Sequence, residues 1–422
     1  MTSERPGRVR IEDWANPQFS PEMAQMRAAV APLAAQIRLE RNVLLADAAA
    51  QTGLDDFGDR DFEERLDVLC FGLREEAGLA PFGMVSAYGF LLQLLKNRLL
   101  VQDLLKRHPE IHDVRIERPI CIVGLPRTGT THLHNLMSAD PGLRSLPYWE
   151  SLEPVLPEAE RPAPGAPDPR VTRTAAALDV LHAMMPLFNR FHEMTVDHSH
   201  EEIQLLAIDF STMLFESMYI MPTWQAYYRA HDQTPHYQYM KTVLKVLQWL
   251  RGGTRWVLKS PQHLEQFGPL VSVFPDATFV VTHRDPLAVT VSMAIFNAYA
   301  NRMNVDRPDP LTYGRYWSAR IQAMLAACVR DRNLLPAERS IDVRFHEFMA
   351  DDFAMVQRIY TLAGQPMTPA VRAAMDAFLA THPRGKYGAV VYDPATVGID
   401  VAECRAALRF YVERFGLEEE LR

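Results

Sequence analysis

Residues Ile120–Met137 read ICIVGLPRTGTTHLHNLM. Ile120 to Val123 form a short apolar run of the kind a strand buried on both faces requires, and Leu133, Leu136 and Met137 recur at helical spacing. The order predicts strand, glycine-rich turn, helix. Such a turn aims backbone N–H groups and the positive end of a helix dipole at one point, which makes the segment a candidate anion site.

The loop departs from the nucleoside-triphosphate form. In G-x-x-x-x-G-K-[ST] the lysine reaches the β and γ phosphates and the hydroxyl holds magnesium. Here Gly124-Leu125-Pro126-Arg127-Thr128-Gly129 is followed by Thr130 and Thr131, so threonine stands in the lysine's place and a positive charge has moved into the loop as Arg127. That suits one compact anionic group on the 5′ side of a nucleotide. A purely structural strand-to-helix turn gives the same pattern. A nucleotide kinase or hydrolase is the enzymatic rival, but it calls for an apolar strand ending in aspartate for magnesium. The best such strand, ATFVVTHRDP (277–286), delivers His283 and Arg284 ahead of Asp285.

Composition bounds the partners. With 422 residues and 48% hydrophobic side chains the chain has ample core for one large domain with appendages or two ordinary ones. A formal net charge of −8 argues against a broad nucleic-acid or anionic-membrane face, so any anion must be met by local positive groups. Cys70, Cys121, Cys328 and Cys404 have no paired spacing, which predicts reduced cysteines and an intracellular, cytoplasmic protein. MTSERPGRVRIEDWANP (1–17) lacks the apolar stretch of a secretory signal. The longest apolar tract, Leu205 to Met221, carries Asp209 and Glu216 and reads as a buried or cleft-lining helix rather than a membrane span.

Along the chain, residues 21–109 carry leucine and alanine at helical spacing, with Lys96, Asn97 and Arg98 interposed in the Gly83 to Leu105 stretch. Beyond Pro109 strand candidates at Ile120 to Gly124, Trp256 to Leu258, Thr278 to Thr282 and Ile341 to Phe345 alternate with helical stretches. The expected fold class is α/β, a parallel sheet flanked by helices, with a helical N-terminal region over 1–115 and the α/β domain over 116–422. Two proline-rich segments, Pro154 to Pro169 and Asn301 to Thr312, are expected to be irregular, as solvated connections or as flaps over a cleft.

Further polar motifs follow the loop. WVLKSPQHL (256–264) reads as strand from Trp256 to Leu258, followed by Lys259, Ser260 as an N-cap, Pro261 at the first helical position and His263 in the first turn. THRDPLAVTVSM (282–293) sets Arg284 near a strand's end and Ser292 two turns into the next helix, where both can face one sheet edge. HPRGKYG (382–388) supplies Arg384, Gly385 and Lys386 in a basic loop. The chain has only six lysines, and two of them, Lys259 and Lys386, sit in these motifs.

In this order, GLPRTGTT, WVLKSPQHL, THRDPLAVTVS and RGKYG resemble the sulfotransferases that use 3′-phosphoadenosine 5′-phosphosulfate (PAPS), over about Pro119 to Phe415. The helical preamble and VYDPATVGID (391–400) resemble a bacterial branch. The resemblance implies that Arg127, Thr128, Gly129, Thr130 and Thr131 wrap the 5′-phosphosulfate. It implies that Arg284 and Ser292 bind the 3′-phosphate and that Arg384, Gly385 and Lys386 close over it, leaving 3′-phosphoadenosine 5′-phosphate (PAP) as product. Arg127 stands where cytosolic members carry lysine, and His132 where they carry an adenine-stacking tryptophan. A nucleotide-binding scaffold without catalysis is the remaining alternative.

Sulfuryl transfer needs cations at the leaving oxygen, for which Lys259 and Arg127 are the candidates, and a base for the acceptor's proton. No metal is required. His263 is the favoured base, because a helix's first turn disfavours the imidazolium. The rival is DHSHEE (197–202), with His198, His200, Glu201 and Glu202; as metal ligands the two histidines lack a clear third partner. Met213, Phe215, Met218, Tyr219, Trp224, Tyr227 and Tyr228 form either core or an apolar acceptor cleft suited to a hydroxylated lipid, sterol or phenol. The oligomeric state is left open.

Overall fold

A computed structural model describes residues 7–420 apart from 15 and 164; the ends of the two expected regions, residues 1–6 and 421–422, lie outside the described residues. Four strands form a parallel sheet. We label the strands β1 (Arg8–Val9), β2 (Ile120–Val123), β3 (Val257–Ser260), β4 (Thr278–His283), β5 (Ser340–Arg344) and β6 (Ala389–Val390). The sheet order is β3-β2-β4-β5, and β1 pairs with β6 in a separate parallel ribbon.

Side-chain alternation splits β2 and β4 between two cores. Cys121, Val123, Phe279 and Val281 face one apolar cluster, which continues through Leu44, Leu66 and Leu95 of the helical preamble. Ile120, Ile122 and Val280 face the other, with Leu133, Leu136, Phe348 and Ile359. A sheet covered on both faces needs no polar alternation, which is why its strands read as continuous apolar runs.

β3 begins at Val257 rather than Trp256 and runs through Lys259 to Ser260, because β2 offers backbone pairs up to Val123↔Ser260. β5 likewise ends at Arg344, and Phe345 opens the next helix. Asp–Pro and Ser–Pro pairs mark many helix starts. Ser260, Asp285 and Asp309 each accept a backbone N–H while the following proline, whose missing N–H costs nothing there, takes the first helical position.

The Leu205 to Met221 tract is not one helix. It breaks into Ile203–Ala207 and Leu214–Met218, with Phe210 at φ 53° between them and Thr212 Oγ1 accepting from Leu214 N–H at 3.2 Å. Its charges are buried and paired. Asp209 meets Arg98 at 2.6 Å, Arg65 at 3.1 Å and His236 at 2.6 Å, while Glu216 meets Arg320 at 2.7 Å and Tyr316 at 2.9 Å. Burial alone would raise the Asp209 carboxyl; the His236 hydrogen bond and the two arginines outweigh it and hold it below its usual range. Since Arg65 and Arg98 belong to the preamble helices Phe62–Glu75 and Pro81–Arg107, this ion-pair group ties the preamble to the rest of the chain. Arg98 was legible only as a polar interruption; it is 3% exposed and further contacts the Phe57 and Asp59 carbonyls and the Phe62 and Tyr239 rings.

Pro154 to Pro169 is irregular apart from a turn of 3-10 helix at Glu158–Glu160, and a helix starts at Pro169. Asn301 to Thr312 holds a short 3-10 turn, Asn301–Met303, before the helix that opens at Pro310. Among the described residues no helix is long and apolar enough to cross a membrane.

Candidate functional site

The parallel register brings the carboxyl ends of β2, β3 and β4 to one edge, where open α/β sheets place their ligand crevices. The loop Gly124 to Gly129 leaves β2 there, and the helix Thr130–Ser138 begins directly after it. Two glycines are obligatory. A Cβ on Gly124 would lie 2.0 Å from Thr282 Oγ1, and Gly129 has φ 87°. Arg127 also adopts a left-handed φ of 71°, unusual for a side-chain-bearing residue and therefore held by its surroundings.

Of the groups that hold it, Ser292 and Arg284 are residues the sequence singled out, while Phe191 and Tyr392 are not. Arg127 Nε donates to Ser292 Oγ at 3.1 Å, its Nη2 donates to Tyr392 Oη at 2.9 Å, and its Nη1 donates to the Phe191 carbonyl. Arg284, the first residue beyond β4, donates from Nη1 to the Arg127 carbonyl at 2.6 Å. Arg127, Arg284 and Ser292 thus meet in one place, drawn from the loop, the end of β4 and the helix Pro286–Ala300. Thr128 turns inward: its hydroxyl donates to the Leu125 carbonyl at 2.6 Å and lies 2.7 Å from Thr282 Oγ1, so it braces the loop. Thr130 is buried and Thr131 partly exposed at the helix start, where first-turn N–H groups lack intrahelical partners.

Lys259 lies on β3 and is 1% exposed. Its ammonium pairs with Glu201, while its main-chain N–H donates to both oxygens of Glu202 at 2.8 and 3.0 Å. DHSHEE is therefore brought against the lysine from both sides. His263 is fully buried. Its Nδ1 lies 2.8 Å from Tyr237 Oη and its Nε2 3.4 Å from Glu202, so both ring nitrogens face interior groups behind β3.

Four other histidines gather around Lys259. His192 and His198 have ring centroids 5.2 Å apart, His198 and His200 6.2 Å apart, and His134 Nε2 lies 3.3 Å from the Val257 carbonyl. Burial first and the Lys259 charge next push His198 down to about 3, and the same causes, with neighbouring histidines, hold His134, His192 and His200 well below the usual imidazole range. Among the described residues, His134 Nδ1, His198 Nε2 and His200 Nδ1 have no hydrogen-bond partner. His134 and His192 carry no motif, and nothing in the sequence marked them; only the fold assembles the group.

The basic loop divides. Arg384 donates to the Met349 carbonyl at 2.9 Å and pairs with Asp352, which also takes His132 Nε2 at 2.8 Å. This puts Arg384 beside the helix Phe345–Ala350, whose first ring lies 4.0 Å from the Arg284 guanidinium. Lys386 turns instead to Glu193 at 3.3 Å, and Gly385, at φ 73°, carries the reversal between them.

The aromatic tract at 213–228 is core. Met213, Phe215, Tyr219, Trp224 and Tyr228 are buried in the cluster shared with the preamble, with Phe215 edge-on to Trp224 and Phe90. The aromatic group next to Arg127 is a different one: Phe191 and Tyr299, themselves buried in the same core cluster, pack with partly buried Phe296 and Tyr392, the rings of Phe296, Tyr299 and Tyr392 lying 5.2, 5.5 and 6.1 Å from that of Phe191. Among the described residues no group of three or more His, Cys, Asp or Glu side chains is arranged to hold a metal ion.

A parallel sheet with a glycine-rich strand–loop–helix turn and basic side chains gathered at one edge defines an α/β protein built to meet an anion. Residues 119–369 match the sulfotransferase family, and the chain belongs to it. The structure is similar to sulfotransferase STF1 from Mycobacterium tuberculosis H37Rv, at 30% identity and a TM-score of 0.76, covering 87% of this chain and 97% of that one. It is also similar to sulfotransferase STF9 from Mycobacterium avium, at 27% identity and a TM-score of 0.80, covering 92% and 99%. No curated protein matches the chain significantly.

Proposed function

We propose that this protein transfers a sulfuryl group from PAPS to the hydroxyl of a small, largely apolar acceptor. The observation that carries the reading is the convergence of Arg127, Ser292 and Arg284 on the Gly124 to Gly129 loop. Two arginines and the Ser292 hydroxyl beside a loop that ends at a helix start suit a ligand with separated 5′ and 3′ anionic groups. When bound, the donor supplies an activated sulfuryl group joined to the nucleotide through an oxygen.

The chain's residues then divide the work. Loop N–H groups and Arg127 hold the 5′ side, while Arg284 and Ser292 hold the 3′-phosphate. Arg384 approaches from the Phe345–Ala350 side, and Lys386 secures the Glu193 segment. As the acceptor oxygen bonds to sulfur and the bond to the nucleotide oxygen breaks, negative charge grows on that leaving oxygen. Lys259 and Arg127 stabilise it.

For the base we assign Glu201 rather than His263. Glu201 touches the Lys259 ammonium and keeps 19% of its side chain exposed, whereas His263 is sealed behind β3. Once Lys259 turns to the leaving oxygen, the Glu201 carboxylate is unpaired and takes the acceptor proton. His198 and His200, neutral and with a free ring nitrogen each, orient the hydroxyl. The partly buried Phe296 and Tyr392 rings, packed on Phe191, suit an apolar acceptor body. The free cysteines, three of them buried, suit a reducing, cytoplasmic setting.

The test is transfer of radiolabelled sulfur from PAPS to a panel of phenols, sterols, lipid alcohols and sugars. Turnover on an apolar alcohol or phenol is expected; PAP binding with no turnover on any acceptor would leave a non-catalytic nucleotide-binding protein instead.

A further inference from the structure

The helix Val401–Phe415 is followed by a short acidic stretch that folds back over the sheet edge. Arg344 Nε donates to the Phe415 carbonyl at 2.9 Å and Leu417 N–H to the Val412 carbonyl at 3.1 Å, which fixes the return. The three glutamates then part. Glu418 lies 3.7 Å from His346, Glu419 lies 3.3 Å from Arg405, and Glu420 reaches Arg284. The last contact is bidentate: Arg284 Nε and Nη2 donate to the two Glu420 oxygens at 2.7 and 2.6 Å, and Glu420 N–H donates to Asp285 Oδ2 at 2.8 Å. Arg284, Phe345, Met349, Leu417 and Glu420 line one open cavity.

A guanidinium offers a bidentate anion one planar edge at a time. Nη1 of Arg284 is committed to the Arg127 carbonyl, and the Nε/Nη2 edge holds Glu420. A phosphate gripped by that edge must therefore replace the carboxylate. We propose that Glu420 competes with the donor nucleotide for Arg284, lowering nucleotide affinity and hastening release of the product. The inference rests on the reading of Arg284 as the 3′-phosphate ligand. The exchange favours the incoming group, because a phosphate dianion carries more charge and more acceptor oxygens than a carboxylate. It also reverses readily, since the competitor stays tethered at high effective concentration. ADP, which has no 3′-phosphate, has no reason to displace Glu420.

Calorimetric titration of the full chain with PAP and with ADP tests this on the wild type, Glu420→Gln and Glu419→Gln. Loss of a partly exposed ion pair predicts PAP binding about two- to fivefold tighter in Glu420→Gln, with ADP affinity unchanged. Glu419→Gln removes the same charge one residue away and is expected to leave PAP affinity where it was. Hydrogen exchange supplies a second reading: PAP, but not ADP, is expected to raise exchange at residues 417–420. Equal or weaker PAP binding by Glu420→Gln, or equal tightening by Glu419→Gln, overturns the competition while the donor reading stands. A wild type that binds no PAP overturns both.

Discussion

The guanidinium of Arg284 donates to the main-chain carbonyl of Arg127 at 2.6 Å, across 157 residues of sequence. One arginine thus both braces the loop, in which Arg127 holds a left-handed φ of 71°, and gives its remaining edge to Glu420. Arg284→Ala removes charge-assisted hydrogen bonds, so PAP binding is expected to weaken by about 1 to 3 kcal/mol in calorimetry. A loss below about 0.3 kcal/mol, within what an ordinary surface change produces, would remove Arg284 from the site.

Lys259 and Glu201 form one ion pair but are assigned opposite tasks in the chemical step. Lys259→Ala and Glu201→Gln are each expected to lower kcat by about 10² to 10⁴ while PAP affinity changes little. Single-turnover rates with saturating donor measure this. If Glu201→Gln kept wild-type turnover, the base would lie among His198 and His200.

His263 is expected to matter for stability before chemistry. Removing its ring leaves buried Tyr237 Oη without that partner, and an unsatisfied buried group of this kind costs about 1 to 3 kcal/mol, whereas Glu202 keeps its hydrogen bonds from the Lys259 N–H. Denaturant titration of His263→Ala should show this loss, with PAP binding retained. Full stability combined with abolished turnover would return the base role to His263.

The histidine group around Lys259 makes stability depend on pH. Burial and the lysine charge favour the neutral rings in the folded chain, so the unfolded chain binds more protons once pH falls below about 6.5. A histidine with a lowered folded value adds no penalty above that pH and costs stability below it, until its folded value is reached. Each ring is expected to contribute up to about 1.4 kcal/mol per pH unit on the acid side. Unfolding measured between pH 7 and pH 5 should show stability falling as pH drops, and a smaller fall in His198→Asn. A flat profile would mean these rings are already protonated or solvated in the folded chain.

Short-range signals were legible. The apolar run Ile120–Val123 before Gly124, the Ser260-Pro261 helix start and the position of Arg284 after an apolar strand each follow from local chemistry, and the structure carries all three. Their mutual placement was less so, since it depends on strand order: β2 lies between β3 and β4 although β3 and β4 are neighbours in sequence. The Leu205 to Met221 stretch misled as a single helix because its break comes from Phe210's backbone and from ion pairs to distant helices, neither visible in a hydrophobic pattern. The aromatic tract at 213–228 belongs to the core for a related reason: the preamble covers it. His134, Tyr392 and Glu420 could not be found at all, because each acts through a partner more than a hundred residues away, and His192 because only the fold brings it to His198 and Lys259.

The central claim is that the Gly124 to Gly129 loop and the Arg284–Ser292 pair hold the two ends of one 3′-phosphorylated adenosine. A crystal structure of the protein with PAP and no magnesium tests it most directly. The account predicts the 5′-phosphate on the loop and the 3′-phosphate on Arg284 and Ser292, with Glu420 moved aside. PAP bound elsewhere, or a 3′-phosphate out of reach of Arg284, would contradict it.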